Sequence, residues 1–132
     1  MYERAALGAG QPPCVLVLDD DPFMLEMLKD LLHSLGVRDI HLAASARHAL
    51  STLSSLGPDL LICDLALPDV DGVEFLTAAA EGGFRGRVVL LSGLDADVRD
   101  AAGELVQTLG LRLAGSFAKP IGLGQLRSAI GC

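Results

Sequence analysis

No apolar run in this 132-residue chain approaches the roughly 18 residues that a membrane-spanning helix needs. The first thirteen residues, MYERAALGAGQPP, have neither a long apolar centre nor a basic start, so no secretory leader is read there. A disordered tail over 1–13 ahead of one domain over 14–132 is the expectation, with no membrane partner. Cysteine is scarce: Cys14, Cys63 and Cys132 stand far apart, in neither a zinc spacing nor a disulfide framework. Cys14 and Cys63 fall in strand-like apolar runs, where core packing is expected. This usage favours a cytoplasmic protein. Basic residues are outnumbered, 10 Lys and Arg against 17 Asp and Glu, and the formal charge of −7 argues against direct binding to nucleic acid. His33, His41 and His48 follow no ligand spacing and are expected as solvated side chains.

The composition itself, 51% hydrophobic and 20% charged, is too apolar for a disordered chain and fits one core. Five short apolar runs recur: Cys14–Asp19, Ile40–Ala44, Leu60–Asp64, Val88–Ser92 and Leu111–Ala118. LLICD and VVLLS are near-continuous rather than alternating, as suits parallel strands covered on both faces. Helical spacing separates the runs. Pro22 follows Asp21 as a first helical residue follows its cap, with Met24, Leu28, Leu31 and Leu35 expected inward. Ser45 opens a second helix carrying Ala46, Ala49, Leu50 and Leu53, stopped by Gly57-Pro58. Gly72 to Glu81 makes a third. Asp95 or Asp97 opens a fourth with Val98, Ala101, Ala102, Leu105 and Leu109 inward, and Leu123 to Ile130 a weaker fifth. Strand then helix, five times, predicts an α/β domain with right-handed crossovers.

In such sheets ligands bind outside the carboxyl ends of the strands. There the runs end on chemistry: Asp19 and Asp20 after the first, Asp64 the third, Ser92 the fourth and Lys119 the fifth. Three carboxylates around one point form a hard-oxygen site suited to Mg²⁺ or Mn²⁺. A hydroxyl and an ammonium beside them suit an anion held on that metal, such as a phosphoryl group. Asp21, the third acid of VLVLDDDP, reads as a helix cap. Asp69 and Asp71 read as loop and helix-start residues.

The pieces VLVLDDDP, LLICDLALPDVDG, VVLLSG and FAKP, in this order, resemble the receiver domain of two-component response regulators over about Cys14 to Ile130. The resemblance implies a flavodoxin-like (βα)5 three-layer sandwich with a five-stranded parallel sheet of order 2-1-3-4-5. It also implies roles by position. Asp64 would accept the phosphoryl group. Asp20 would bind Mg²⁺ directly, Asp19 mainly through water, and the Ala66 carbonyl would complete the set. Ser92 and Lys119 would contact phosphoryl oxygens. Pro68 and Gly72 would shape the loop, Gly93 would leave room beside Ser92, and the bond before Pro120 would be cis. The implied partners are a histidine kinase or phosphotransfer protein, and a second copy or an output domain on the face of the fourth helix, fifth strand and fifth helix. LGLRLAGSFAKPIGLGQLRSAI is similar, more weakly, to receivers of EAL-type cyclic-di-GMP phosphodiesterases.

Two departures from the family pattern matter. Many receivers carry an aromatic residue three positions before the lysine; here Ser116 stands there, and Phe117 should point to the other face. Movement of Ser92 and the loop Gly93–Asp97 is therefore expected to carry the signal. Ala66 and Leu94 flank the pocket without a group to orient water, which implies a long-lived acyl phosphate. Three rival readings remain. A haloacid-dehalogenase-type phosphatase would use Asp19, Asp21, Ser92 and Lys119, but no acid follows Glu104 and the Asp64 motif is left unexplained. A nucleotide-binding domain is disfavoured because GAGQPP precedes the first strand instead of following it. A docking pseudo-receiver would not need Asp20, Asp64, Ser92 and Lys119 together.

Overall fold

The computed structural model describes residues 13–68, 70–93 and 96–131. Residues 1–12 of the expected tail, and Asp69, Leu94, Asp95 and Cys132, lie outside the described residues. Strands and helices alternate: β1 (Cys14–Leu18), α1 (Pro22–Ser34), β2 (Asp39–Ala43), α2 (Ala46–Leu56), β3 (Leu60–Asp64), α3 (Gly72–Glu81), β4 (Arg87–Ser92), α4 (Ala96–Thr108), β5 (Arg112–Ala118) and α5 (Leu123–Ile130). The sheet is parallel throughout, as the strand–helix alternation predicts, with order β2-β1-β3-β4-β5, as the resemblance implies. β1 and β3 are buried along their whole length, which is why their sequences read as unbroken apolar runs.

Two apolar layers flank the sheet. One joins the sheet to α2, α3 and α4 through Leu16, Leu61, Leu76 and Val106; the other joins it to α1 and α5 through Val17, Ile62, Leu28 and Leu126. Local chemistry sets the helix starts. Asp21, Ser45 and Asp71 each accept a backbone N–H of the first turn, from Phe23, His48 and Val73, a device contributing about 1 kcal/mol per helix. Gly57 closes α2 with φ 64°, a left-handed conformation that a β-carbon would disfavour.

Two predicted helix faces are displaced. On α1 the buried residues are Leu25, Leu28 and Leu32, while Met24, Leu31 and Leu35 are half-buried. The apolar stripe is wide, and the helix rests on its middle because it packs against both the sheet and α5. On α4 the buried residues are Ala102, Gly103 and Val106, whereas Val98 is 43% exposed and Ala101 is exposed too. Glycine draws the helix down: a β-carbon at Gly103 would lie 3.2 Å from Leu113 Cδ2 on β5. Val98 and Ala101 instead border a cleft of about 660 Å³ shared with Leu65 and Val73. The helix opens at Ala96, with Asp97 inside its first turn.

β5 holds an irregularity that alternation alone does not reveal. Val88 pairs with Leu113 but Val89 pairs with Gly115, so Ala114 is an extra residue. The shift turns Phe117 to the α1/α5 layer although Leu113 packs in the α2/α3/α4 layer. Its ring folds back over Gly115, where a β-carbon would collide with it. Ser116 pairs with Leu90 and so faces the layer that holds α4.

Candidate functional site

At the carboxyl rim of the sheet the ladder continues one residue past the strands. Asp19 N–H donates to the Ala43 carbonyl at 3.1 Å, and Lys119 N–H donates to the Ser92 carbonyl at 3.0 Å. With the parallel register, this sets residues 19, 64, 92 and 119 at one rim although one hundred positions separate the first from the last. Among the described residues, Asp19, Asp64 and Ser92 are the polar side chains that are buried. Burying a carboxylate without compensation is costly, so its partners are informative. Lys119 Nζ lies 3.0 Å from Asp19 Oδ2 and 3.1 Å from Asp64 Oδ2, bridging the two. Asp64 Oδ1 accepts the Ala66 N–H at 3.0 Å, and Asp19 Oδ1 accepts the Asp21 N–H at 2.9 Å. Both carboxylates are therefore held at each oxygen.

The electrostatics reflect burial. Desolvation raises the Asp64 pKa above the ordinary carboxylate value, and the Asp19 charge adds to it, while the Ala66 N–H and Lys119 oppose both. Burial alone would lower the Lys119 ammonium, but its bonds to Asp19 and Asp64 outweigh that and raise its pKa. Cys63, next to Asp64, has its thiol pushed far up by burial and then by the two neighbouring acids, so it is an inert core residue here.

Asp20 is exposed, yet an oxygen of Asp19, Asp20 and Asp64 can each be found within 4.8 Å of the others. This set is all oxygen, open to solvent on the Asp20 side, and carries a formal charge of −2 once the Lys119 ammonium is counted. It fits a hard divalent cation such as Mg²⁺. Asp21 belongs to the helix cap and not to the cluster.

The loop residues complete the rim. Ala66 and Pro68 are exposed. Gly72 begins α3 against the β3–α3 connection, where a β-carbon would sit 3.1 Å from the Leu65 backbone; close approach, not an unusual φ, requires glycine there. Gly93 is exposed, and a β-carbon on it would meet nothing within 4 Å beyond its two chain neighbours. The Lys119–Pro120 bond is cis. Ser116 Oγ is buried without a hydrogen-bond partner.

A family model described as the response regulator receiver domain matches residues 15–131. This chain belongs to the response regulator receiver domains. Among relatives, the cyclic di-GMP phosphodiesterase RocR of Pseudomonas aeruginosa is 33% identical over 117 residues, covering 88% of this chain and 30% of that protein. It matches the weaker phosphodiesterase-linked resemblance in the sequence. A response regulator from Colwellia psychrerythraea is 32% identical, with a TM-score of 0.74 over 86% of this chain and 89% of its own. Vibrio cholerae chemotaxis protein CheY4, at 23% identity and a TM-score of 0.71 over 85% of this chain and 90% of its own, shares the fold. The chain spans about a third or less of the curated relatives it matches, and the activities in their names belong to those longer proteins. No described helix of this receiver domain is long and apolar enough to cross a membrane.

One group of side chains escaped the sequence reading. At the amino end of the sheet, Cys14 of β1 lies beside Asp39 and His41 of β2, with one donor atom of each within 4.8 Å of the others. The signal that finds them is strand register: Cys14 pairs with Asp39 and Leu16 with His41, which no local spacing encodes.

Proposed function

We propose that this receiver domain accepts a phosphoryl group on Asp64 from the phosphohistidine of a histidine kinase or phosphotransfer protein, in a Mg²⁺-dependent step in the cytoplasm. The observation that carries the reading is the buried Asp64 carboxylate sharing Lys119 Nζ with Asp19 at 3.1 and 3.0 Å, with Asp20 in reach of both. Asp20 and Asp64 would hold the Mg²⁺ (or Mn²⁺) directly, Asp19 mainly through water, and Ala66 through its carbonyl. Bound there, the ion offsets the negative charge of the incoming group.

The residues divide the remaining work. An Asp64 oxygen attacks phosphorus in line; the P–O bond forms as the P–N bond of the donor breaks, and the electron pair returns to the imidazole nitrogen. Lys119 turns its ammonium from the carboxylates to a phosphoryl oxygen. Ser92, at the end of β4, donates its hydroxyl to another. The added charge of about −1.5 to −2 favours arrangements in which Ser92 and the segment 93–97 close on the phosphoryl group. The altered α4, β5 and α5 face then meets a second copy or an output domain. Ser116 leaves no aromatic ring to report the change, so that loop carries the signal. With alanine at 66 and leucine at 94, the acyl phosphate is long-lived.

This domain assists its own phosphorylation and is not a turnover enzyme. The phosphatase rival leaves unused the acid that Lys119 bridges to Asp19, and a small phosphate ester separates the two readings: steady hydrolysis favours the phosphatase. The direct test is intact mass after incubation with a small phosphodonor and Mg²⁺. One added phosphoryl group, absent without Mg²⁺ and absent in Asp64→Asn, is expected. An unchanged wild-type mass with every donor sinks the proposal.

A further inference from the structure

The second donor cluster lies at the opposite end of β1 from the acidic rim. Cys14 is fully buried, at the first position of β1, and its thiol is outside any disulfide. Asp39 and His41 are two apart on the neighbouring strand, so both project from the same face of β2, with side chains 45% and 39% exposed. His41 Nε2 lies 2.7 Å from Asp39 Oδ1. An Asp–His pair on an edge strand would account for that contact alone. It does not account for a thiol beneath the pair with its sulfur in reach of both.

The backbone of Cys14 is fixed on both sides. Its N–H donates to Asp59 Oδ2 at 2.8 Å and its carbonyl accepts the Asp59 N–H at 2.9 Å. The sulfur is thus set in place by the sheet, whereas the two outer donors are half exposed.

We propose that Cys14, Asp39 and His41 form a binding site for a borderline-soft divalent metal ion, zinc before all others. One thiolate, one imidazole and one carboxylate are the donor types zinc takes, and that set disfavours Mg²⁺ and Ca²⁺. Bonds of about 2.0 to 2.3 Å in a tetrahedron separate donor atoms by about 3.4 Å. The His41–Asp39 contact at 2.7 Å would open and the sulfur, within 4.8 Å of both, would draw in to reach that spacing. The thiol proton leaves to solvent on binding, and water fills the fourth, outward position. Zinc there cross-links the edge strand β2 to β1, and it stabilises the fold by mass action.

Cobalt(II) is the spectroscopic probe, because a thiolate ligand gives a near-ultraviolet charge-transfer band that an all-oxygen site cannot produce. Titrating the intact chain with Co²⁺ in excess Mg²⁺ is expected to yield that band at one equivalent, and Zn²⁺ should displace it. Cys14→Ser is expected to abolish the band and Cys132→Ser to leave it intact. His41→Gln, at a half-exposed position that keeps the core, should weaken Co²⁺ binding at least about tenfold and remove the rise in thermal midpoint that Zn²⁺ gives the wild type. No band in the wild type, a band that survives Cys14→Ser or is lost with Cys132→Ser, or unaltered affinity in His41→Gln overturns the site. His41→Gln decides alone if Cys14→Ser does not fold. None of these readouts passes through Asp64, so failure here leaves the phosphorylation proposal standing, and the reverse.

Discussion

The two ends of β1 present opposite kinds of chemistry five residues apart. At the carboxyl end, Asp19 meets Asp20 and Asp64 in a set of hard oxygens with Lys119 between two of them. At the amino end, Cys14 meets Asp39 and His41, a mixed set of thiol, carboxylate and imidazole. The first favours a small hard cation and a phosphoryl oxygen; the second favours a thiophilic ion. Burial differs as well. The rim places two carboxylates inside and leaves one outside, so charge is concentrated where water is excluded, while the amino end buries a thiol and leaves its carboxylate and imidazole partners half in solvent. The two ends of one strand thus offer chemically unlike donor sets.

The comparison can be broken most forcefully at the rim. Lys119→Met leaves Asp19 and Asp64 buried without their ammonium, and at neutral pH without Mg²⁺ a loss of about 3 kcal/mol is expected in urea unfolding. The sign with pH is definite. The raised Lys119 pKa means its pairing stabilises the fold fully below the ordinary lysine value, near 10.4, and the contribution is lost as pH rises through the raised one. Acid attacks from the other side: Asp64, its pKa raised, takes up a proton readily, so the penalty of Lys119→Met should shrink as pH falls toward the carboxylate range.

Asp64→Asn should act in the opposite direction without metal. A folded-state pKa above the unfolded one means that ionising Asp64 costs stability, a cost absent below the ordinary carboxylate value and complete above the raised one. At neutral pH in chelator, the variant is expected to melt a few degrees above wild type, roughly the effect of 1 kcal/mol at this size. Saturating Mg²⁺ should reverse that ranking, since wild type gains by binding and the variant gains less. An unchanged ranking in calorimetry contradicts the oxygen-donor assignment. Asp20→Asn should likewise weaken Mg²⁺ binding while His41→Gln leaves it unaltered, which keeps the two ends separate.

The smallest effect is expected at Ser116. Its buried hydroxyl has no partner, so Ser116→Ala removes a group whose desolvation is uncompensated. Stability should stay within about 1 kcal/mol of wild type or rise slightly, and phosphorylation should proceed unaltered. A large loss would show that the hydroxyl has a role that this arrangement does not explain.

The carboxyl rim was legible because a parallel sheet delivers every strand's last residue to one side, so Asp19, Asp20, Asp64, Ser92 and Lys119 could be grouped from strand ends alone. Strand order came with the family resemblance, and the five helices with the alternation of patterns. Three features were not legible. Which side of a wide stripe lies down depends on neighbouring helices, as Leu25 and Leu32 on α1 and Gly103 on α4 demonstrate. The extra residue Ala114 reverses the facing of the later residues of β5, and no local pattern marks it. The Cys14, Asp39 and His41 group depends on register between two strands, so a search for ligand spacing along the chain passes over it.

Borohydride reduction of the phosphorylated chain, with peptide mapping of the product, tests the central claim most directly. An aspartyl phosphate is reduced to homoserine, and homoserine at position 64 alone is the outcome this account predicts. Homoserine at 19, 20 or 21, or phosphate retained on a histidine or serine, would contradict it.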